Sequence, residues 1–304
     1  MPPGTEAGLS VLVPVYQREV GALVRALLAQ VSDWLAPVEI LLLDDGSADE
    51  FRQLNRPLAL LPGVHYRELP QNVGRAAIRN QLAAAARHEW LLLLDNDSLL
   101  PDARFLARYA AAATRNQAAV LIGGTTYEAA PPADPALYLR WHYGREREAR
   151  PATVRQAAPY AQLTINNALV RATVFRQFPL DERLSGYGHE DTKFGAELAA
   201  AGISVLHINN PVLHDGLEPA AVFLVKSEQA VRNLSRVHRE NGLGTDARLL
   251  QLALRLRLLG AAGVAQLALA AAAPALRRQL LSATPNLRAF DLLKLHWLLR
   301  ELAG

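Results

Sequence analysis

Two apolar runs end in paired acids: EWLLLLDNDS at residues 89–98 and VEILLLDDGS at residues 38–47. In a strand, residues i and i+2 point the same way, so Asp95 and Asp97 are expected to face one cavity while Asn96 faces the other side. Two carboxylates there suit a hard divalent cation, because Mg²⁺ is commonly held by one or two protein carboxylates plus substrate phosphates. The competing role is local: Asp initiates turns, and Ser98 or Asp102 could cap the following helix.

Asp44 and Asp45 carry the same ambiguity. D-G-S is ordinary turn chemistry, yet a carboxylate also accepts from a base N–H or from ribose hydroxyls, and both roles can coexist. In NVGRAAIRNQLAAAA, Gly74 permits close backbone approach, and Arg75 and Arg79 share one helical face, either solvated or near phosphates. Glu190 and Asp191, in SGYGHEDTKFGAEL, either begin and cap a helix or supply a general base where a Gly-rich segment admits an acceptor. Asn166 and Asn167 could bind sugar hydroxyls or satisfy buried backbone groups. His214 is either a third metal ligand or structural, His207 is expected to pack inside a strand, and His189 to line the site.

These residues need a scaffold. From residue 9 to about 124, short apolar runs alternate with amphipathic ones, the pattern of a parallel sheet covered on both faces. In such sheets ligands gather at the carboxyl ends of the strands, and here three ends converge: Pro14-Val15-Tyr16, Asp44-Asp45 and Asp95-Asn96-Asp97. Residues 125–163 are rich in Pro, Arg and aromatics without a clear period, which reads as an irregular insertion or mobile loop. A strand and short helix then follow in LTINNALVRATVFRQF, a helix closed by Gly202, and a strand in ISVLHINNPVLHDG. Beyond Gly216 the pattern is helical.

The chain has 304 residues, a net charge of +3 and no cysteine. Disulfides and thiolate chemistry are excluded, and nothing marks a nucleic-acid partner. The opening MPPGTEAGLSVLVPVY lacks the features of a secretory signal, so a cytoplasmic location is expected. No G-x-G-x-x-G follows the first strand, which disfavours a dinucleotide-binding enzyme.

The order SVLVPVY, LLLDDGS, NVGRAAIRN, LLLLDNDS, NNALVRATVF and GYGHEDTKFGAEL, spread over residues 9 to about 216, resembles the family 2 glycosyltransferases. That resemblance implies a GT-A type α/β fold, a Rossmann-like, mostly parallel sheet flanked by helices, with a C-terminal helical extension. The expected division is 1–216, with a nucleotide-binding half to about 100 and an acceptor half beyond it, followed by 217–304. By the same resemblance Pro14, Val15, Tyr16, Asp44, Asp45, Gly74, Arg79, Asp95 and Asn96 would hold the nucleotide of a UDP-sugar. Asp97 would be the principal metal carboxylate, with Asp95 and His214 beside it. Asp191 looks like the base, with Glu190 supporting substrate contacts. Asn166, Asn167 and His189 would meet sugar or acceptor, and Trp141 and Tyr143 either form an acceptor wall by stacking on sugar faces or anchor their loop by ordinary hydrophobic packing. Gln17 departs from the asparagine common after the first-strand tyrosine.

A divalent ion would take up charge on the departing diphosphate, and a single displacement with inversion is expected, since no second nucleophile is evident. Mixed oxygen and imidazole ligation suits Mn²⁺, with Mg²⁺ the alternative. The acceptor would be a carbohydrate or lipid-linked hydroxyl in polysaccharide or glycoconjugate synthesis. A D-x-D phosphatase and a non-catalytic nucleotide-sugar-binding scaffold are the competing readings. In the tail, LLGAAGVAQLALAAAAPAL is too interrupted to suit a spanning helix. ARLLQLALRLRLLG could instead lie on an anionic membrane at the inner face of the plasma membrane, pack on the catalytic domain, or join a second subunit.

Overall fold

The computed structural model describes residues 7–184, 188–244 and 247–303. Residues 185–187, part of the Gly-rich stretch expected to admit an acceptor, lie outside the described residues, as do residues 1–6 of the opening segment. The chain divides into two compact units.

The first unit comprises Met1–Thr126, Ala149–Glu182 and Glu197–Gly216. Its strands are β1 (Leu9–Val15), β2 (Val38–Asp44), β3 (Val64–Glu68), β4 (Trp90–Leu94), β5 (Ser98–Leu99), β6 (Val120–Ile122), β7 (Thr125–Thr126), β8 (Asn167–Arg171), β9 (Val205–His207) and β10 (Val212–His214). Seven of them form one sheet in the order β3-β2-β1-β4-β8-β6-β9. Only β8 runs antiparallel to its neighbours, so the sheet is mostly parallel, as expected. Every residue of β4 is buried, which explains its unbroken run of leucines: helices cover both faces of such a sheet. Val11, Val13, Leu92 and Leu94 meet Phe105 and Leu106 of the helix Phe105–Arg115 in this core.

Strand order reverses between β1 and β4. The chain builds β1, β2 and β3 outward in one direction, then returns to place β4 on the other side of β1. A crevice opens at the carboxyl ends of two strands parted in this way.

ISVLHINNPVLHDG forms two strands in place of the single one expected, because Asn209, Asn210 and Pro211 break the run. β9 joins the main sheet, whereas β10 lies between β5 and β7 in a separate three-stranded sheet.

The second unit gathers Tyr127–Glu148, Arg183–Ala196 and Leu217–Gly304. Its main helices are Ala220–Asn241, Arg248–Leu258, Ala262–Leu280 and Leu287–Ala303. Two earlier segments join the helical tail in this unit, which is therefore discontinuous in the sequence. Aromatic packing holds Tyr127–Glu148 there: Tyr143 sits 5.4 Å from both Phe223 and Phe290, ring centre to ring centre. The stretch 125–163 is therefore ordered. It lacked a visible period because it folds in short pieces, a helix Tyr138–Tyr143, a π-helical turn Gly144–Glu148 and a helix Ala152–Gln156. Among the described residues no helix is long and apolar enough to cross a membrane.

Candidate active site

The crevice of the first unit is built from strand ends tied to one another. Val15 is wholly buried and contributes its carbonyl, which accepts from the Asp45 amide at 2.8 Å. Pro14 pairs with Leu43 in the ladder, and Tyr16 stands exposed beyond it. Gln17 has a left-handed backbone, φ 49°, and joins β1 to β2: its amide donates to Ser47 Oγ at 2.9 Å, and its Oε1 accepts from Ala48.

Asp44 and Asp45 serve different neighbours. Asp44 is wholly buried; its carboxylate accepts from the Ser47 amide at 2.7 Å and the Tyr66 hydroxyl at 3.3 Å, so its visible work is the turn. Asp45 reaches across to the loop before the helix Arg75–Ala85 and accepts from the Val73 amide at 2.7 Å. Burial pushes the Asp45 carboxyl up, against the lowering effect of the Val73 and Gly74 amides, while the charge of Asp44 adds to the rise. That loop lies so close to Gly46, φ 76°, that a Cβ there would press on the backbone of Gln71 and Asn72. Gly74, φ 93°, opens the helix.

The acids after β4 depart from the alternation expected of them. The strand ends at Leu94, and Asp95-Asn96-Asp97 form a turn closed by Ser98 N–H donating to the Asp95 carbonyl at 3.1 Å. The i, i+2 rule of a strand has no purchase there, and the two carboxylates find different partners. Asp95 pairs with the buried guanidinium of Arg79. Asn96 Nδ2 donates to the Tyr16 carbonyl at 3.2 Å, joining the β1 and β4 ends.

Asp97 meets His214, whose Nδ1 is 3.4 Å from Asp97 Oδ1. The small sheet makes this meeting: β10 pairs antiparallel with β5, placing His214 opposite Ser98, and the Asp215 amide donates to the Asp97 carbonyl at 2.8 Å. Burial opposes ionisation of Asp97, yet the hydrogen bond and charge of His214, with Arg18 and Arg75 further off, hold its carboxyl below the usual carboxylate range. Arg18, which sequence reasoning passed over, pairs with Asp215 at 2.5 Å. Gly216 was passed over too; a Cβ on it would run into the Asp97 carboxylate. Neither bears a motif of its own, since their importance lies in what folds beside them.

Among the described residues no three His, Cys, Asp or Glu side chains are grouped as a metal cluster. The donor set is one carboxylate and one imidazole, Asp97 with His214, and Asp95 does not stand with them. Such a pair fits a divalent cation that takes its remaining ligands from water and a diphosphate.

Asn166 and Asn167 also part company. Asn167 is wholly buried, its Nδ2 donating to the Gly124 and Asn210 carbonyls and its Oδ1 accepting from Tyr109, so it braces backbone. Asn166 donates its amide to Thr125 Oγ1 at 2.7 Å, and its carbonyl accepts from the Asp95 amide at 3.1 Å. Its Oδ1 takes no hydrogen bond among the described residues. His207 packs as expected, with Nε2 2.9 Å from the Pro159 carbonyl.

The remaining expected residues belong to the second unit. Glu190 and Asp191 open the helix Glu190–Ala200, where negative charge is favoured by the exposed amides of the first turn. His189 precedes them with a left-handed backbone, φ 71°, and its Nδ1 lies 3.0 Å from Thr192 Oγ1. Trp141 is buried, with its indole N–H donating to the Glu128 carbonyl at 2.8 Å. Tyr143 is enclosed by Phe223, Phe290 and Lys294. Both rings are engaged in packing, which leaves little of either to form a wall for an acceptor.

A mostly parallel sheet flanked by helices, with acids at the ends of β2 and β4 beside the β1/β4 crevice, has the architecture of the GT-A fold. The sequence profile of glycosyl transferase family 2 matches residues 10–173. The chain belongs to that family and is a glycosyltransferase. No curated protein matches it significantly. Among solved structures, the mannosyltransferase PcManGT from Pyrobaculum calidifontis, in complex with GDP-Man and Mn²⁺, is similar over 98% of this chain and 86% of its own, at 15% identity and TM-score 0.59. Residues 1–349 of S. aureus TarS, in complex with UDP, are similar over 97% and 90%, at 17% identity and TM-score 0.52. In a longer TarS structure, the match covers 76% of this chain and 43% of the TarS chain, at 17% identity and TM-score 0.52.

Proposed function

We propose that the protein transfers a sugar from a UDP-sugar to a hydroxyl of a carbohydrate or lipid-linked acceptor, with inversion at the anomeric carbon, in polysaccharide or glycoconjugate synthesis. The observation that carries this reading is the approach of His214 to Asp97 at the β1/β4 crevice. Binding of GDP-Man with Mn²⁺ by PcManGT, and of UDP by TarS, supports a nucleotide donor and a divalent ion.

Asp97 and His214 would hold Mn²⁺ or Mg²⁺, which supplies Lewis-acid neutralisation of charge on the leaving diphosphate. Asp45, which follows β2 and accepts from the Val73 amide, is assigned to the nucleoside, and Arg79 to orienting Asp95 toward ribose or phosphate. Asn166, through Oδ1, is the group we assign to a sugar hydroxyl. Asp191 takes the proton of the acceptor hydroxyl as its oxygen attacks the anomeric carbon and the C–O bond to the diphosphate breaks. One displacement on the face opposite the leaving group inverts that carbon.

The test is nucleotide release from a panel of UDP- and GDP-sugars, with Mn²⁺ or with EDTA, in the wild type and the Asp97→Asn and Asp191→Asn variants. Metal-dependent release from UDP-sugars is expected. Asp97→Asn should lose it, and Asp191→Asn should bind UDP normally while transfer falls about a hundredfold or more. Full activity in EDTA would overturn the metal assignment. Release unaffected in Asp191→Asn would overturn the base.

A further inference from the structure

The helix Ala262–Leu280 is apolar on two faces. Ala262, Ala265, Leu269, Ala273 and Leu276 pack on the core of the second unit. Val264, Leu267, Ala268, Ala271 and Ala275 repeat with the same helical spacing on the other side and are exposed. A surface helix ordinarily carries polar residues there. The turn before it adds two more apolar side chains: Leu258 is 87% exposed and Leu259 77%, and on the helix Val264 and Leu267 are each 74% exposed. Contiguous apolar surface of this kind marks an interaction site.

Charge says what the site would meet. Residues 247–290 contain no Asp or Glu, yet carry Arg248, Arg255, Arg257, Arg277, Arg278 and Arg288, all exposed. Elsewhere in this unit several arginines are paired, Arg232 and Arg300 with Glu228, Arg236 with Glu240. Among the described residues no carboxylate pairs with Arg255, Arg277 or Arg278.

We propose that the hairpin of the helices Arg248–Leu258 and Ala262–Leu280 docks on an anionic phospholipid surface. The arginines meet lipid phosphates, while Leu258, Leu259, Val264 and Leu267 enter the boundary between headgroups and acyl chains. A second copy of the chain fits this face less well. A twofold contact would set the same arginine-rich surface against itself, with no acid in the segment to offset the repulsion. The proposal is independent of the donor chemistry, and vesicle binding is read without substrate.

The full chain is floated with phosphatidylcholine vesicles with and without phosphatidylglycerol. Binding is expected only when phosphatidylglycerol is present, and should weaken as salt rises. The triple variant Arg255→Gln/Arg277→Gln/Arg278→Gln should lose about a hundredfold in affinity, from about fivefold per arginine near the surface. The variant Leu258→Ser/Leu259→Ser/Leu267→Ser should lose about tenfold or more. All six positions are exposed, so circular dichroism and nucleotide release should match the wild type. Wild-type chain that ignores phosphatidylglycerol, or variants that bind as it does, would overturn the proposal. A concentration-dependent dimer that the serine variant dissolves, with no vesicle binding, would give the face to a second copy instead.

Discussion

His189 shows how a single residue can be set by backbone and burial together. It holds φ 71°, in the left-handed region that few non-glycine residues occupy, Asn, Asp and His more often than the rest, one position before the acids Glu190 and Asp191. Burial pushes its imidazole down to about 4, against the pull of Glu190 and with a further push from Lys294. The folded state therefore favours the neutral ring. In the unfolded chain the ring titrates near its ordinary value of about 6.5, so the unfolded state binds the proton first as pH falls. Stability from this group is complete above about pH 6.5 and declines from there toward pH 4. Asn tolerates the same backbone without titrating, and His189→Asn should therefore resist acid better. Urea unfolding at pH 7 and pH 4.5 is expected to show the wild type losing roughly 2 kcal/mol more than the variant between the two. Equal losses would mean that the ring is not held neutral.

At the scale of elements, the crevice depends on pieces of very unequal legibility. β1, β2 and β4 announce themselves as apolar runs, and the acids at their ends follow from where such runs stop. What the runs do not disclose is the ending itself. β4 stops at Leu94, so Asp95 and Asp97 lie in a turn and separate, one to Arg79 and one to His214. The latter meeting rests on strands of two and three residues, β5 and β10, too short for any periodicity. Asn166 and Asn167 look equivalent in sequence, yet one enters β8 with its amide spent on backbone and the other stays at the strand's start. The exit from β10 shows how tight this assembly is, because Gly216 leaves no room for a Cβ beside Asp97. Gly216→Ala should displace that carboxylate and weaken Mn²⁺-dependent UDP binding by about tenfold or more, with little change in melting temperature. Titration calorimetry of UDP with Mn²⁺ measures it, and unaltered affinity would deny Gly216 any part in placing Asp97.

At the scale of the whole molecule, two hydrophobic cores are built among the described residues from interleaved segments. One lies around β1 and β4, with Val11, Leu92, Phe105 and Leu121, and the other around Phe223, Leu250, Phe290 and Leu298. Residues Tyr127–Glu148 cross from the first unit to the second and back, so a boundary drawn along the sequence could not find them. The residues assigned to the nucleotide and the metal, Asp45, Arg79, Asp97 and His214, all belong to the first unit. A ligand that binds only the folded form of one unit stabilises that unit by RT ln(1 + [L]/Kd), about 2.7 kcal/mol at a hundredfold excess over Kd. Truncating a wholly buried leucine costs about 2–5 kcal/mol where its cavity lies. Leu298→Ala should therefore lower the calorimetric transition of the second unit, whereas UDP with Mn²⁺ should raise that of the first by the same amount in wild type and variant. Two transitions that move separately are the expected result. A single transition in which the ligand offsets the leucine deletion would show that the two cores melt as one, because free energy added in either would then be shared by both.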